Sequence, residues 1–460
     1  MADDATTVED RDDEGFGLDD RLVPDVRLAL AAGDRPRLAS LLDPLHPADI
    51  ADLLEQIGTG ERREVLLLAP QIITGEVLSE IDEGLREEVI AFLPRDQLAE
   101  AVRELDSDDV VDLLEDLDLP QQEAVLDALE DADRLAAERA LSYPEYSAGR
   151  LMQREVVTAP EHWNVGQTID HLRASAHLPD QFYHVVLVDP RHRPTGYVTL
   201  GRLMSAPRAT RLVDITDDSF RTVPVLQDEG DVAYLFNQYH LISAPVVDQS
   251  DRLVGVITID DAMIVLDEEH EEDVLRLAGV SESSMSDSVL ATVKSRIPWL
   301  VVNLGTAGIA ATVIAQFEGS IAQIVALAVL MPIVASMGGN AGTQSLAVAV
   351  RALATRDLTS SNAWRVIRRE ALVGLANGLS LAIPLGIATA LLFGSAGLGA
   401  VIACALVINL FVAALAGILV PFLLEKLGLD PAIASGTFVT TVTDVVGFLS
   451  FLGLATIVLL

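Results

Sequence analysis

The chain changes its hydrophobic period twice. Between residues 22 and 140 apolar positions recur every three or four residues without strand-like alternation, which predicts a series of short amphipathic helices. Helices are predicted to start near Pro47, Gly75 and Ser107, and Pro47-Ala-Asp-Ile-Ala-Asp-Leu-Leu54 resembles Ser107-Asp-Asp-Val-Val-Asp-Leu-Leu114. Such units bury their apolar faces by stacking on one another, so a superhelix is expected. Further on, His184-Val-Val-Leu-Val-Asp-Pro runs to Thr195-Gly-Tyr-Val-Thr-Leu, and Ser243-Ala-Pro-Val-Val-Asp-Gln runs to Val254-Gly-Val-Ile-Thr-Ile. Asp189 and Asp248, Gly196 and Gly255, and Met204 and Met263 are each 59 residues apart. Each copy reads as strand, turn, strand and helix, preceded by an amphipathic helix (165–176 and 228–238).

The last third is apolar on every face. A bilayer-crossing helix takes about 20 apolar residues, and five runs qualify: 297–317, 320–337, 371–393, 398–424 and 432–460. Pro332, Pro384 and Pro421 predict kinks. The run Gly338-Gly339-Asn340-Ala341-Gly342-Thr343-Gln344 is expected to break the second span, either to turn carbonyls toward a cavity or as a plain cap and turn. Asn303, Asn377 and Asn409 are interhelical hydrogen-bonding groups or pore contacts, and both readings stay open.

Charge follows the same division. Six of the 69 acids and six of the 31 basic residues lie from Ile297 onward, which leaves 63 acids against 25 bases in the first 296 residues and accounts for the whole net charge of −38. An acidic surface of this kind excludes phosphate-backbone binding, so no nucleic-acid partner is expected. The single cysteine, Cys404, excludes a disulfide scaffold and a thiolate metal cluster. The N-terminal residues carry no apolar signal segment. An acid-rich chain with only two lysines, Lys294 and Lys426, also suits a high-salt cytoplasm. Arg351, Arg356, Arg365, Arg368 and Arg369 fall between spans two and three, whereas the neighbouring loops carry only Glu318 or no charge. This distribution places the N-terminus in the cytosol and the C-terminus outside, in the plasma membrane.

The domains expected are an acidic disordered tail (1–21), a helical domain (22–145), a tandem α/β pair (146–266, divided at about 207/208), an acidic connecting helix (267–296) and a five-span membrane domain (297–460). Asp444 is the one ionisable group predicted inside a span, and no cationic side chain is predicted there to pair with it. A carboxylate at that depth costs roughly 2.5–3.5 kcal/mol and marks a pathway or a paired group. Thr437, Thr440, Thr441 and Gly447 fall on its helical face, as in a pore lining. A protonated Asp444 bonded between helices is the plain alternative. The run Asp267, Glu268, Glu269, Glu271, Glu272, Asp273 leads into the first span. It is either a solvated face or a site where a dication relieves repulsion. Magnesium takes oxygen ligands and keeps several waters, so loose carboxylate clusters suit it.

The tandem α/β repeat resembles a CBS-domain pair. With GGNAGTQS at 338–345 and TTVTDVVG at 440–447, the order of domains resembles the MgtE family of magnesium channels. The resemblance implies a homodimer whose fifth spans line a central pore, with Asp444 as pore carboxylate and Asn340 beside it. It implies that cytosolic Mg2+ closes the pore by bridging acidic faces. The matching residues are Glu76, Asp108, Asp112, Asp228, Asp261, Glu269, Glu272, Asp273, Asp287 and Asp430. Gly230, His240 and Ile264 stand where family members can carry acids, and Gly201-Arg202 replaces the usual Arg-Asp pair of the first CBS unit, which puts ATP binding there in doubt. The function expected is Mg2+ uptake gated by cytosolic Mg2+. The alternatives are a proton-coupled divalent-cation transporter and a membrane-anchored CBS sensor that transports nothing. No nucleophile–base set, phosphate-cradling loop or catalytic metal spacing suggests an enzyme.

Overall fold

The computed structural model describes residues 18–19, 21–115, 117–175, 178–179, 181–277, 289–428 and 431–460. Nearly all of the acidic tail, with Asp287 and Asp430, lies outside them. The chain divides into two compact units, Met1–Leu266 and Asp267–Leu460.

Among its described residues the first unit begins with ten short α-helices. They are α1 (Leu22–Ala32), α2 (Arg35–Leu42), α3 (Pro47–Gln56), α4 (Thr59–Leu68), α5 (Gly75–Glu80), α6 (Glu83–Phe92), α7 (Arg95–Glu104), α8 (Ser107–Glu115), α9 (Leu119–Leu126) and α10 (Asp131–Ala140). The predicted starts at Pro47, Gly75 and Ser107 begin α3, α5 and α8. Each helix is too short to persist alone and holds by packing; Leu38, Leu54, Leu78 and Leu114 are sealed in one continuous apolar core. Two buried arginines join successive turns of the stack. Arg62 donates to the carbonyls of Leu54 and Ile57 and pairs with Glu88 at 2.8 Å. Arg86 donates to the carbonyls of Ile81 and Ser79 and pairs with Asp112 at 2.7 Å. In both, the guanidinium satisfies carbonyls that the preceding helix leaves open at its end.

The 59-residue repeat folds as two copies of one motif. After α11 (Ala148–Leu151) come β1 (Thr158–Pro160), α12 (Val165–Ala174), β2 (His184–Val188), β3 (Pro194–Thr199) and α13 (Leu200–Ser205). The second copy is β4 (Val223–Pro224), α14 (Glu229–Tyr239), β5 (Ser243–Val247), β6 (Leu253–Thr258) and α15 (Ile259–Leu277). In each sheet the first strand is parallel to the second and the second antiparallel to the third. Even the irregularities coincide, with register shifts at Leu187/Val188 and Val246/Val247. The copies meet at equivalent positions, where His184 Nδ1 and Ser243 Oγ hydrogen-bond at 2.5 Å. Burial pushes the His184 imidazole below its ordinary pKa, against the pull of Asp217, and favours the neutral ring.

The second unit holds α16 (Val289–Ala315), the short α17 (Glu318–Gln323), α18 (Ala326–Ala354), α19 (Ala363–Phe393), α20 (Ala396–Lys426) and α21 (Pro431–Leu459). Five of these helices are long and apolar enough to cross a membrane, so the chain is a multi-pass membrane protein. Helix α20 is the hub, packed by α18, α19 and α21, while α16 has α21 as its principal neighbour and leaves Leu300, Val301 and Leu304 exposed.

Three expectations are corrected. The glycine-rich run does not break a span: Gly338 to Ser345 lie inside the continuous helix α18. With backbone hydrogen bonds kept within the segment, the run needs no cavity to satisfy it. Its glycines serve close packing instead; a Cβ on Gly342 would come within 2.6 Å of Val439 on α21. Secondly, α19 starts at Ala363, eight residues before the apolar run, because helix formation is not limited by hydropathy. Glu370 therefore lies inside a membrane-domain helix, buried and accepting a hydrogen bond from Ser345 Oγ at 3.3 Å. Asp444 is not the lone carboxylate there. Thirdly, Gly447 faces α20, where a Cβ would stand 2.7 Å from Asn409 Nδ2, so it does not share a lining with Asp444.

The Arg86 staple can be separated from its ion pair. Replacing Arg86 with Met removes charged hydrogen bonds to buried carbonyls and should cost residues 1–266 about 3 kcal/mol in urea unfolding. Asp112→Asn removes only an ion pair with one solvent-exposed end and should cost less than about 1 kcal/mol. Equal losses would show that the pair, rather than the carbonyl contacts, holds the stack.

Candidate ion-binding sites

The first unit concentrates carboxylates where α8 meets the second copy of the repeated α/β motif. Ser107 opens α8 and donates its hydroxyl to Glu155 at 2.7 Å, while the Arg154 backbone N–H donates back to Ser107 Oγ at 2.8 Å. Arg150 pairs with Glu115 at the other end of α8, at 2.7 Å. These contacts bring Asp108 and Asp109 against Asp261, which accepts from Thr258 Oγ1 at 2.6 Å as it leads into α15. Asp108 is buried and keeps Gln153 Nε2 at 3.4 Å and the Asp109 N–H at 3.0 Å.

Burial dominates the electrostatics. It raises the Asp108 carboxyl well above its ordinary range, with Asp261, Asp109 and Asp106 adding repulsion. Burial, then Asp261, Asp106 and Asp112, push Asp109 up to about 7, against Arg86. Asp261 is pushed up to about 6 by burial, with Asp260 and Asp106 adding to it and Thr258 opposing. Such carboxyls take up a proton or a dication in preference to standing bare. The donors are all oxygen, as Mg2+ requires. They form no closed cage: among the described residues no three Asp, Glu, His or Cys side chains converge tightly enough to hold a bare metal ion. A hydrated ion reaching carboxylates through its waters is what this spacing suits.

Of the residues singled out from sequence, Asp108, Asp112 and Asp261 come together here, although Asp112 is engaged by Arg86. Glu76 lies exposed on α5, and Asp228 caps α14 by accepting from the Asp231 N–H. Glu269, Glu272 and Asp273 lie along α15 in the second unit, where Glu272 pairs with Arg276 at 2.6 Å. Asp106, Asp109 and Asp260 belong to the cluster but were not singled out. Each sits within two residues of a chosen acid, and that adjacency is the signal the sequence offers. In the first copy of the α/β motif, Arg202 lies against Asp217 at 3.3 Å and donates to the carbonyls of Ile215 and Thr216.

In the second unit, Asp444 is half-buried on α21 and Asn340 is exposed on α18. Among the described residues neither side chain makes a hydrogen bond or ion pair. The two do not face one another within one chain. Gly342 carries the α18 face that meets α21, and Asn340 falls about 160° round the helix from it at about 100° per residue. Thr440 and Thr441 turn their hydroxyls onto carbonyls of their own helix, Gly436 and Thr437.

Family profiles match in the same order as these domains: an MgtE intracellular N domain at 45–146, CBS domains at 148–209 and 213–268, and the MgtE divalent cation transporter domain at 331–454. The chain is 35% identical over 448 residues to the magnesium transporter MgtE of Thermus thermophilus, covering 96% of this chain and 99% of that one. It belongs to the MgtE family. The MgtE transporter of Bacillus subtilis is 29% identical over 438 residues, covering 95% of this chain and 97% of its own. A crystal structure of the cytosolic domain of an Mg2+ channel MgtE in complex with ATP is similar to 53% of the chain, with 31% identity and a TM-score of 0.49 over 99% of that domain. The MgtE transporter match takes in the glycine-rich run and Asp444 and leaves α16 outside.

The raised carboxyls fix a pH dependence. Asp109 and Asp261 bind protons more tightly in the folded than in the unfolded chain. Their stabilising contribution is complete below the ordinary value of 3.8 and is lost as pH rises through about 6 and about 7. Melting temperature of the full-length protein without divalent ions should fall over that window, and Asp109→Asn should flatten the fall. Added Mg2+ should raise the melting temperature more at about pH 8 than at about pH 5.5, because protons compete for the same oxygens. A shift independent of pH would place Mg2+ elsewhere.

Proposed function

We propose that the chain is a magnesium-selective channel that takes up Mg2+ across the plasma membrane and is closed by cytosolic Mg2+. The observation that carries this reading is Asp444, a carboxylate in a membrane helix with no protein hydrogen bond or ion pair among the described residues. Such a group needs water, a proton or a cation. Membership of a family whose curated relatives are named magnesium transporters makes Mg2+ the cation of choice.

The exposed position of Asn340 and the open flank of α16 fit assembly as a homodimer in lipid, in which Asn340 and Asp444 of two chains line one path. Two carboxylates hold a hydrated Mg2+ through its waters, and the size of the hydrated ion selects it. The N-terminus lies in the cytosol and the C-terminus outside.

Closure belongs to the acids of the cytosolic side: Glu76, Asp108, Asp112, Asp228, Asp261, Glu269, Glu272 and Asp273, with Asp287 and Asp430. The raised carboxyls of Asp108, Asp109 and Asp261 support it, because bare they repel and with Mg2+ they attract. The ion shifts the balance by its difference in affinity between open and closed forms. ATP is not required by this scheme.

Electrical recording in lipid with cytosolic Mg2+ varied from micromolar to millimolar tests both parts. Mg2+ currents should flow without a pH gradient and vanish in Asp444→Ala. A dependence on the pH gradient would favour proton-coupled transport, and no uptake at all would leave only a tethered sensor. Removing residues 1–140 should keep the currents and weaken inhibition by Mg2+ about tenfold or more. Unchanged inhibition would exclude the helical domain from closure.

A further inference from the structure

Asn409 sits in the middle of α20 with no exposed surface at all. Its Nδ2 donates to the carbonyl of Val334 on α18 at 2.9 Å, which fixes the amide's orientation. Its Oδ1 is buried with no hydrogen-bond partner among the described residues. The same amide fills the space left by two glycines on two different helices. A Cβ on Gly447 of α21 would stand 2.7 Å from Nδ2, 3.2 Å from Cγ and 3.4 Å from Oδ1. A Cβ on Gly338 of α18 would collide with the same three atoms. Gly338 is two residues before Asn340, and Gly447 is one helical turn after Asp444.

One side chain on the hub helix therefore gauges both helices that carry the candidate ion-path residues. Folding alone does not ask for an amide here, since an apolar group of similar shape would fill the gap without stranding an acceptor. We propose that Asn409 is a positioning residue of the ion path: wedged between Gly338 and Gly447, it sets the spacing of α18 and α21, and through it the aperture at Asp444 that discriminates between hydrated dications. This rests on the transport reading above. Asn409 touches no ion; it acts through the backbones of its two neighbours.

The test is flux through the full-length protein in proteoliposomes, measured with Mg2+ and with Ca2+ in turn and read as the ratio of the two. The ratio is insensitive to how much protein inserts. Asn409→Ala should keep Mg2+ flux while the Mg2+/Ca2+ ratio falls by about threefold or more. Gly447→Ala should cut Mg2+ flux by about tenfold or more by forcing α20 and α21 apart. Adding Asn409→Ala to Gly447→Ala should restore flux to about that of Asn409→Ala alone, because the added methyl then fills the vacated space. If Asn409→Ala does not give a monodisperse protein, Asn409→Ser makes the same comparison with a smaller loss of polar contact. An unchanged ratio in the Asn409 variant, or no rescue in the double variant, overturns the proposal and leaves the transport reading standing. Absence of Mg2+ flux in the unaltered protein overturns both.

Discussion

Like charges held close together and away from water constrain the whole first unit. Asp108, Asp109 and Asp261 face each other at a contact whose burial disfavours their ionised forms. The few local hydrogen bonds, from Thr258 to Asp261 and from Gln153 and the Asp109 N–H to Asp108, do not offset that burial. The arrangement persists because both sides are built rigidly: α8 is held by the Arg86 pair below and the Ser107–Glu155 bond above, and Asp261 is tied to Thr258 at the end of β6. The apolar helix stack and the paired sheets supply the stabilisation, and the acidic contact draws on it. A region strained in this way changes state when a small cation or a proton arrives, whereas a well-satisfied contact would not respond.

The membrane unit solves a different problem with small residues. Lipid gives no hydrophobic reward for helix association, so close backbone approach and a few polar contacts must hold the bundle. Helix α20 collects these contacts on both sides: a Cβ on Gly417 would stand 2.7 Å from the Gly342 carbonyl of α18, and one on Gly386 of α19 would stand 2.9 Å from the Gly399 carbonyl. The close approach makes the helices neighbours without interrupting their internal hydrogen bonds, which is why a glycine-rich run reads as a break in sequence and is a packing seam in the fold.

Much of this architecture was legible from pattern. The 59-residue spacing carries over into two sheets with the same order, the same register and the same bulge, because equal strands with equal turn residues have one way to pair. Helix starts at Pro47, Gly75 and Ser107 were visible because proline and serine open helices and the apolar period follows at once. What was not legible depends on contacts between distant segments. Glu370 looks like part of a charged loop beside Arg365, Arg368 and Arg369; only the path of α19 turns it inward to Ser345 while the arginines stay outside. The Arg62 and Arg86 staples bond carbonyls, which have no letter in the sequence. Asn409 admits two readings from sequence because a lone amide in an apolar run has no period to betray its direction. In the same way, the face that Gly447 shares with Asp444 by spacing is divided in the fold by the position of α20.

The sparse packing of α16 has a consequence for how the protein is made. Its principal partner within the membrane unit is α21, which lies four spans later in the chain. The first span must therefore wait in the bilayer, flanked by lipid or by insertion machinery, while the four later spans are synthesised. The bundle cannot close around it before α21 has been made.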